Sequence, residues 1–495
     1  MSRRSMPFAA LVTFSLLLSA CGNNSSQAPA GSTGTGTGTG ASASAAASSD
    51  ASAPAASASQ TAGKPLSGTL QVGAKYGCKP IPCKPAGEGA ADEIAVTRYD
   101  AFAKAHPEVT VEFTEADFNA QAFLTAVAAG SPPDVVRMDR AIVGTYVAQG
   151  ALDPIDQCIT DFGIDMSQYR EPAVKALTIN DQVYGIPEFY DSRIILINDS
   201  VITDAGLKPE DIDTSNWDTL AATNKKLLKT SGGKISRIGF DPKLPEFLPL
   251  WAKANGASII SDDGKTSQLD DPKVAEALDF AASLIKAHGK PADFLDFRGN
   301  GPGGKDFFGA ENQFAADTVG AFPMEQWYLN VLADNSPDEK LDFQPFKDRQ
   351  GNPISFSGGS AWVIPAAAKN KDAACEFMRT ITLPDSWYAA AKVRADLRAA
   401  DKKSFTGVYT GNKVADERIF ADLVNEQTAG AYYPGVQLVQ STADVAFSLP
   451  PIAAAEEFDR IWRAAVDRVL NENVPAADAL AQADQEAQSA IDAAQ

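Results

Sequence analysis

The 495-residue sequence has few of the groups that bind metals or carry nucleophilic chemistry. It holds two histidines, His106 and His288, and five cysteines. There is no His-Glu-x-x-His pair and no Cys-x-x-Cys spacing, so a zinc site is not expected. The Gly-x-Ser-x-Gly elbow of serine hydrolases is also missing. Basic charge is scarce: 43 Lys and Arg face 63 Asp and Glu, a net charge of −20. That balance argues against nucleic acid as a partner and against electrostatic docking on anionic lipid. Beyond the first twenty residues no apolar run is long enough to cross a bilayer.

The N-terminal segment has a distinct pattern. Arg3 and Arg4 precede an uncharged run from Pro7 to Ala20 that closes on small residues, as in an export signal. Leu18-Ser19-Ala20-Cys21 resembles a bacterial lipobox. The resemblance implies a diacylglyceryl thioether on Cys21, cleavage before it and an acylated new N-terminus. The domain would then sit at the cell surface or in the periplasm, anchored to a membrane by lipid on Cys21. Two or more acyl chains make such an anchor stable. The alternative is a plain signal peptide with an unrelated cysteine. Residues 1–20 are therefore read as the signal peptide. Residues 21–65 are read as the lipidated cysteine and a disordered tether of Gly, Ala, Ser and Thr, without aromatic residues or apolar periodicity. Its mean reach is on the order of 35 Å.

About 430 residues follow, more than one compact core accommodates, so two lobes are expected. Their alternation of strand and helix patterns predicts an α/β fold. Thr69–Ala74 and Val109–Thr114 read as strands, Ala90–Ala105 and Phe118–Ala129 as helices, and Ser131–Asp139 as a turn feeding a strand. Arg193–Asn198 reads as a strand. Asp218–Thr230 reads as a helix capped by Ser215 or Asn216, and Asp271-Pro272 opens a long amphipathic helix. Glu456–Ala494 reads as two helices joined near Val474-Pro475. Besides Cys21, the even set Cys78, Cys83, Cys158 and Cys375 suggests disulfides in an exported protein. A local Cys78–Cys83 staple is the simplest pairing, and it leaves Cys158 to join Cys375.

In this order the motifs resemble those of the extracellular solute-binding proteins of ABC importers, in the group that binds sugars and oligosaccharides. The resemblance runs through Gly130 to Ile155, with its Pro-Asp-Val strand and Gly150-Ala151-Leu152-Asp153-Pro154. It continues in Tyr184-Gly185-Ile186-Pro187 to Asn198, where Ile197 replaces the usual tyrosine. Ala205-Gly206-Leu207 with Asn216-Trp217-Asp218-Thr219-Leu220, Asn255-Gly256 to Leu284, Gly320 to Trp327, and Ser357-Gly358-Gly359 to Ile364 complete it. It implies a two-lobed periplasmic-binding-protein fold, a Venus flytrap whose hinge the chain crosses about three times, near Pro187–Asp191, Gly358–Val363 and Tyr433–Val436. The lobes would be 66–188 with 363–432, and 189–362 with 433–495. Ligand would bind between them, shift an open–closed equilibrium, and be passed to the membrane subunits of an ABC permease by a monomeric receptor.

A sugar needs aromatic faces for its C–H surfaces and carboxylates or amides for its hydroxyls. The resemblance points to Trp327 as the stacking residue. Glu188, Phe189, Tyr190 and Asp191 follow the first crossing, and Asp139 ends a strand beside Met138 and Arg140. Asp139 serves equally as a helix cap, and Tyr190 and Asp191 equally as hinge packing. Glu246, Phe247 and Trp251 lie on the second lobe, with one of the two aromatics expected to face the cleft. Gly359 permits close backbone approach or bends a crossing strand. Tyr76 belongs to the loop that Cys78 and Cys83 close.

Gly299–Asp306 approximates a phosphate loop, but Asp306 replaces the magnesium-binding Ser or Thr, and it is read as a surface loop. No cofactor is expected. The competing readings are a binding protein for a polyamine or peptide, and an enzyme that processes glycosides with paired carboxylates.

Overall fold

The computed structural model describes residues 65–75, 92–114, 116–299, 304 and 306–495. The expectations for Cys21, the tether, Tyr76 and the Cys78–Cys83 pairing, and most of the Gly299–Asp306 loop, lie outside the described residues.

Ten strands form two five-stranded sheets: β1 (Gly68–Gly73), β2 (Val109–Phe113), β3 (Val135–Asp139), β4 (Ile186–Pro187), β5 (Arg193–Asn198), β6 (Lys229–Ser231), β7 (Lys234–Phe240), β8 (Val319–Glu325), β9 (Leu341–Gln344) and β10 (Ser360–Val363). The first sheet runs β2-β1-β3-β10-β4. In it β1 is parallel to β2 and β3, and β10 is antiparallel to β3 and β4. The second runs β9-β5-β8-β7-β6 and is mixed, because β5 is antiparallel to both of its neighbours while β7 and β8 are parallel. The βα alternation at the start of the chain therefore yields parallel pairs, and β5, entering from the other sheet, does not.

Local sequence explains the helix starts. In α1 (Glu93–Ala105) the Asp92 carboxylate accepts from Ile94 N, and in α2 (Ala120–Ala128) Asn119 accepts from Ala122 N. For α3 (Pro272–Lys286), Asp271 caps Lys273 N with proline in the first turn. Asn216 caps Trp217–Leu227. The helix expected to reach Thr230 stops at Leu227, because Gly232 and Gly233, at φ +60° and +77°, turn β6 back along β7. The C-terminal pair is Ala455–Asn471 and Ala476–Ala494.

Each sheet has its own core. Leu70, Val72, Tyr99, Phe102, Trp362 and Phe377 pack about the first. Within it Cys158 is bridged to Cys375, 217 residues away, with Cα atoms 5.7 Å apart. The second core contains the all-buried run Ile194–Ile197 with Phe240, Trp251, Leu278 and Leu329. Pro187 ends β4 in one sheet and Arg193 begins β5 in the other, so residues 188–192 pass between them. Ser357–Gly359 make the return into β10. The two passages are bonded together: Glu188 N donates to Ser360 O at 2.9 Å and Asp191 N to Gly358 O at 3.0 Å.

Candidate ligand-binding site

A cavity of about 470 Å³ lies where these passages meet the first sheet. Strand ends supply one wall: Gly73, Ala74 and Lys75 after β1, and Arg137, Met138 and Asp139 at the end of β3. The passages supply Phe189, Asp191, Gly359 and Ser360, the turn before α2 supplies Asp117 and Phe118, and Trp327 comes from the second sheet's side.

The polar wall is held from behind by Glu188. This residue is wholly buried, and its carboxylate pairs with Arg98 and with Arg137, each at 2.8 Å. Ser360 Oγ adds a hydrogen bond at 3.3 Å. Arg98 is itself buried, with its guanidinium 3.6 Å from the Trp387 ring centroid. Arg137 is 43% exposed and lies over the Phe189 ring. The Glu188 charge holds the Arg137 guanidinium's pKa above its ordinary value. Arg137 therefore reaches the cavity as a fixed cation with donors to spare.

Asp191 contrasts with Glu188. Its carboxylate accepts no hydrogen bond among the described residues. Burial raises its pKa, partly offset by the charges of Arg193 and Arg140. Arg193 is paired with Glu325 at 2.8 Å and Arg140 donates to Phe189 O and Gly358 O, so neither is free to neutralise Asp191 alone. Asp139 caps the following turn through Ala141 N at 2.9 Å and also lines the cavity. Gly359 sits at φ +127°, and a Cβ there would lie 2.2 Å from Phe189 O, so backbone geometry and space both require glycine.

Trp327 precedes α4 (Tyr328–Asn335) and is half-buried. Phe308 lies nearly parallel to it, at 13° with centroids 6.1 Å apart, and is itself 66% exposed. The neighbouring Gln326 is locked into the crossing by Ser192 N, which donates to its Oε1 at 2.6 Å, and by its own Nε2, which donates to Tyr190 O at 2.9 Å. Thus the platform is tied directly to the segment that joins the sheets.

Of the residues singled out in the sequence, Trp327, Asp191, Asp139 and Gly359 are brought together, along with Phe189 and Met138. Others are placed elsewhere. Trp251 is fully buried among Phe240, Phe280 and Phe346, with its indole N–H on Pro242 O at 2.9 Å, so it has no face left for a ligand. Phe247 is buried beneath the Arg193 guanidinium, and the exposed Glu246 does not line the cavity. Neither aromatic of that segment therefore faces the cleft. Tyr190 is buried between Arg140 and Arg170 with its hydroxyl donating to Ala443 O at 3.3 Å, and it does not line the cavity. Glu188 acts behind the wall through Arg137. Sequence reading missed Lys75, Asp117 and Arg137. Period-two alternation along β3 places Arg137 on the same side as Asp139, and that signal was available. Among the described residues no group of three or more His, Cys, Asp and Glu is placed to hold a metal ion.

Residues 97–408 match the family model described as bacterial extracellular solute-binding protein. A lactose-binding protein of Rhizobium radiobacter is 25% identical over 310 residues, 59% of this chain and 67% of that protein. An arabinooligosaccharide-binding protein of Bacillus subtilis is 22% identical over 259 residues, 52% of this chain and 57% of its own length. The chain thus spans little more than half of that relative. The solved structure of CpMnBP1 with mannobiose bound superposes with a TM-score of 0.64 at 20% identity, covering 86% of this chain and all of the other. The fold is thereby the two-lobed α/β fold of such binding proteins.

Proposed function

The chain belongs to the bacterial extracellular solute-binding protein family, and we propose that it captures a sugar or oligosaccharide between its lobes and delivers it to an ABC permease without turning it over. The observation that carries the reading is the composition of the cavity. Trp327 presents an apolar face opposite donors and acceptors of fixed geometry: Arg137, Asp139 and Asp191. The lining charges nearly balance. Lys75 and Arg137 oppose Asp117, Asp139 and Asp191, and the nearby cations Arg140 and Arg193 offset part of the rise that burial causes in the Asp191 pKa. A neutral polyol suits such a site better than a polyamine, which needs net negative charge.

Division of the chain into 66–188 with 363–432 and 189–362 with 433–495 puts the moving joint at the crossings near Pro187–Asp191, Gly358–Val363 and Tyr433–Val436. Ligand contacts from both lobes would favour the closed form. Anchoring by lipid on Cys21, a flexible tether and a monomeric state complete the proposal. A tethered receptor remains at high effective concentration beside its permease.

A thermal-shift screen of sugars, polyamines and peptides tests the ligand class. Sugars are expected to raise the melting temperature. A shift by polyamines or peptides with none by any sugar refutes the reading. Incubation with the bound oligosaccharide is expected to release no smaller sugar, and release would favour the enzyme alternative.

A further inference from the structure

A second cavity, of about 400 Å³, adjoins the first. The two share Gly73, Ala116, Asp117 and Phe118, so they are neighbours with two chemistries. The first is lined by charges. The second runs beneath α2 and is walled by Phe118, Phe123, Pro132, Pro133, Val136 and Ala126. Its polar residues are Gln71, Thr114, Asp117, Asn119 and Ser131, of which Gln71 already donates to Glu112 and Asn119 already accepts from Ala122 N.

Its wall is preformed. Phe118, Phe123 and Tyr146 make a three-ring cluster with centroids 5.3 to 5.6 Å apart. α2 is composed almost wholly of apolar residues, yet Phe123 is its one buried side chain. Its alanines, Ala122 and Ala126, are too small to fill the gap beneath the helix. A helix of this composition normally buries a stripe against its sheet. Here that stripe faces an apolar space large enough for a small ligand group.

A sugar ring placed there would face Pro, Phe, Val and Ala with too few partners for its hydroxyls, at a desolvation cost. An apolar substituent gains from the same surface. From this juxtaposition we infer that the ligand is a glycoside bearing an apolar aglycone, with its sugar between Trp327 and Asp191 and its aglycone under α2. The inference rests on the sugar reading of the first cavity.

The test compares methyl and phenyl glycosides of matched anomer, for glucose, galactose, mannose and N-acetylglucosamine, by calorimetric titration of the whole chain. The phenyl member of the bound pair is expected to bind about tenfold tighter or more. Ala126→Phe fills the arm without touching the first cavity. It is expected to erase that preference and leave the methyl glycoside's affinity unchanged. Ala126→Leu, a smaller change, is expected to reduce it. Equal binding of the pair to the wild type overturns the inference, as does a preference that survives both variants. If longer oligosaccharides bind tightly while the phenyl group adds nothing, the arm holds another ring or water, and again the inference falls. If no sugar or glycoside binds at all, it is the sugar reading of the first cavity that fails, and the inference falls with it.

Discussion

The two walls of the cavity are built differently. The first-sheet wall is polar and braced: Glu188, fully buried, fixes Arg98 and Arg137 from behind. The second-sheet wall reaches the cavity through Trp327, half-buried at the start of a short helix and flanked by the exposed Phe308. One wall is made rigid by its own charges, while the other offers an aromatic face that becomes useful once something polar and flat lies against it. This contrast suggests that ligand geometry is set on the first sheet, and that the second contributes contact area on closure.

The largest expected effect comes from removing the brace. Glu188→Ala leaves Arg98 and Arg137 without their shared counter-charge, and is expected to cost about 3–5 kcal/mol in urea unfolding. A loss within error would show that the first wall does not depend on buried charge. Trp251→Ala is expected to cost a similar amount, about 3–5 kcal/mol, through core loss alone. Ligand affinity of the folded fraction should be unchanged, and a fall in it would return Trp251 to the site.

Gly359→Ala is expected to lower stability by about 1–3 kcal/mol, since a Cβ must displace the Phe189 carbonyl or shift the return strand. Circular dichroism melting checks it. Trp327→Ala should leave stability nearly intact and weaken sugar binding by about tenfold or more, the inverse of Trp251→Ala. Full-strength binding would remove the aromatic half of the comparison.

The smallest effect concerns pH. Burial raises the Asp191 carboxyl above the ordinary aspartate pKa. The native state therefore keeps this proton to a higher pH than the unfolded chain does. The Asp191 contribution to stability falls as pH rises from the ordinary aspartate value through the raised one. Asp191→Asn lacks that fall. Its stability relative to wild type should increase across this window and be level below it, as read from urea midpoints over a pH series. A constant difference would mean that the Asp191 carboxylate is not desolvated.

Much of the fold was legible because its signals are local. The Asp271-Pro272 helix start, the Arg193–Asn198 strand and the break at Val474-Pro475 follow from capping, proline and apolar runs. The site was half legible. Asp139 and Gly359 stand at the ends of recognisable strand motifs, and Trp327 lies in a motif of its own. Trp251 and Phe247 were not legible, because an aromatic at a helix start serves a core or a cleft equally well. Which one it serves depends on what the rest of the sheet leaves uncovered. The strand alternation put Arg137 on the face of Asp139, but its role was not legible, since a charge within Val135–Asp139 reads as an exposed strand position until Glu188 is found behind it.

By itself the sequence determined the strands, helices and caps, because those depend on neighbours along the chain, while the Cys158–Cys375 pair was suggested only by the even set of cysteines. Tertiary structure alone decided which carboxylate is a brace and which faces the cavity. Glu188 and Asp191 stand three residues apart on one crossing segment, with nothing local to separate their roles. Two arginines from the first sheet's side of the molecule close around Glu188 and spend its charge. Asp191 is left half-buried at the cavity wall without a salt-bridge partner of its own, and that difference in desolvation and pairing arises only when the chain has folded.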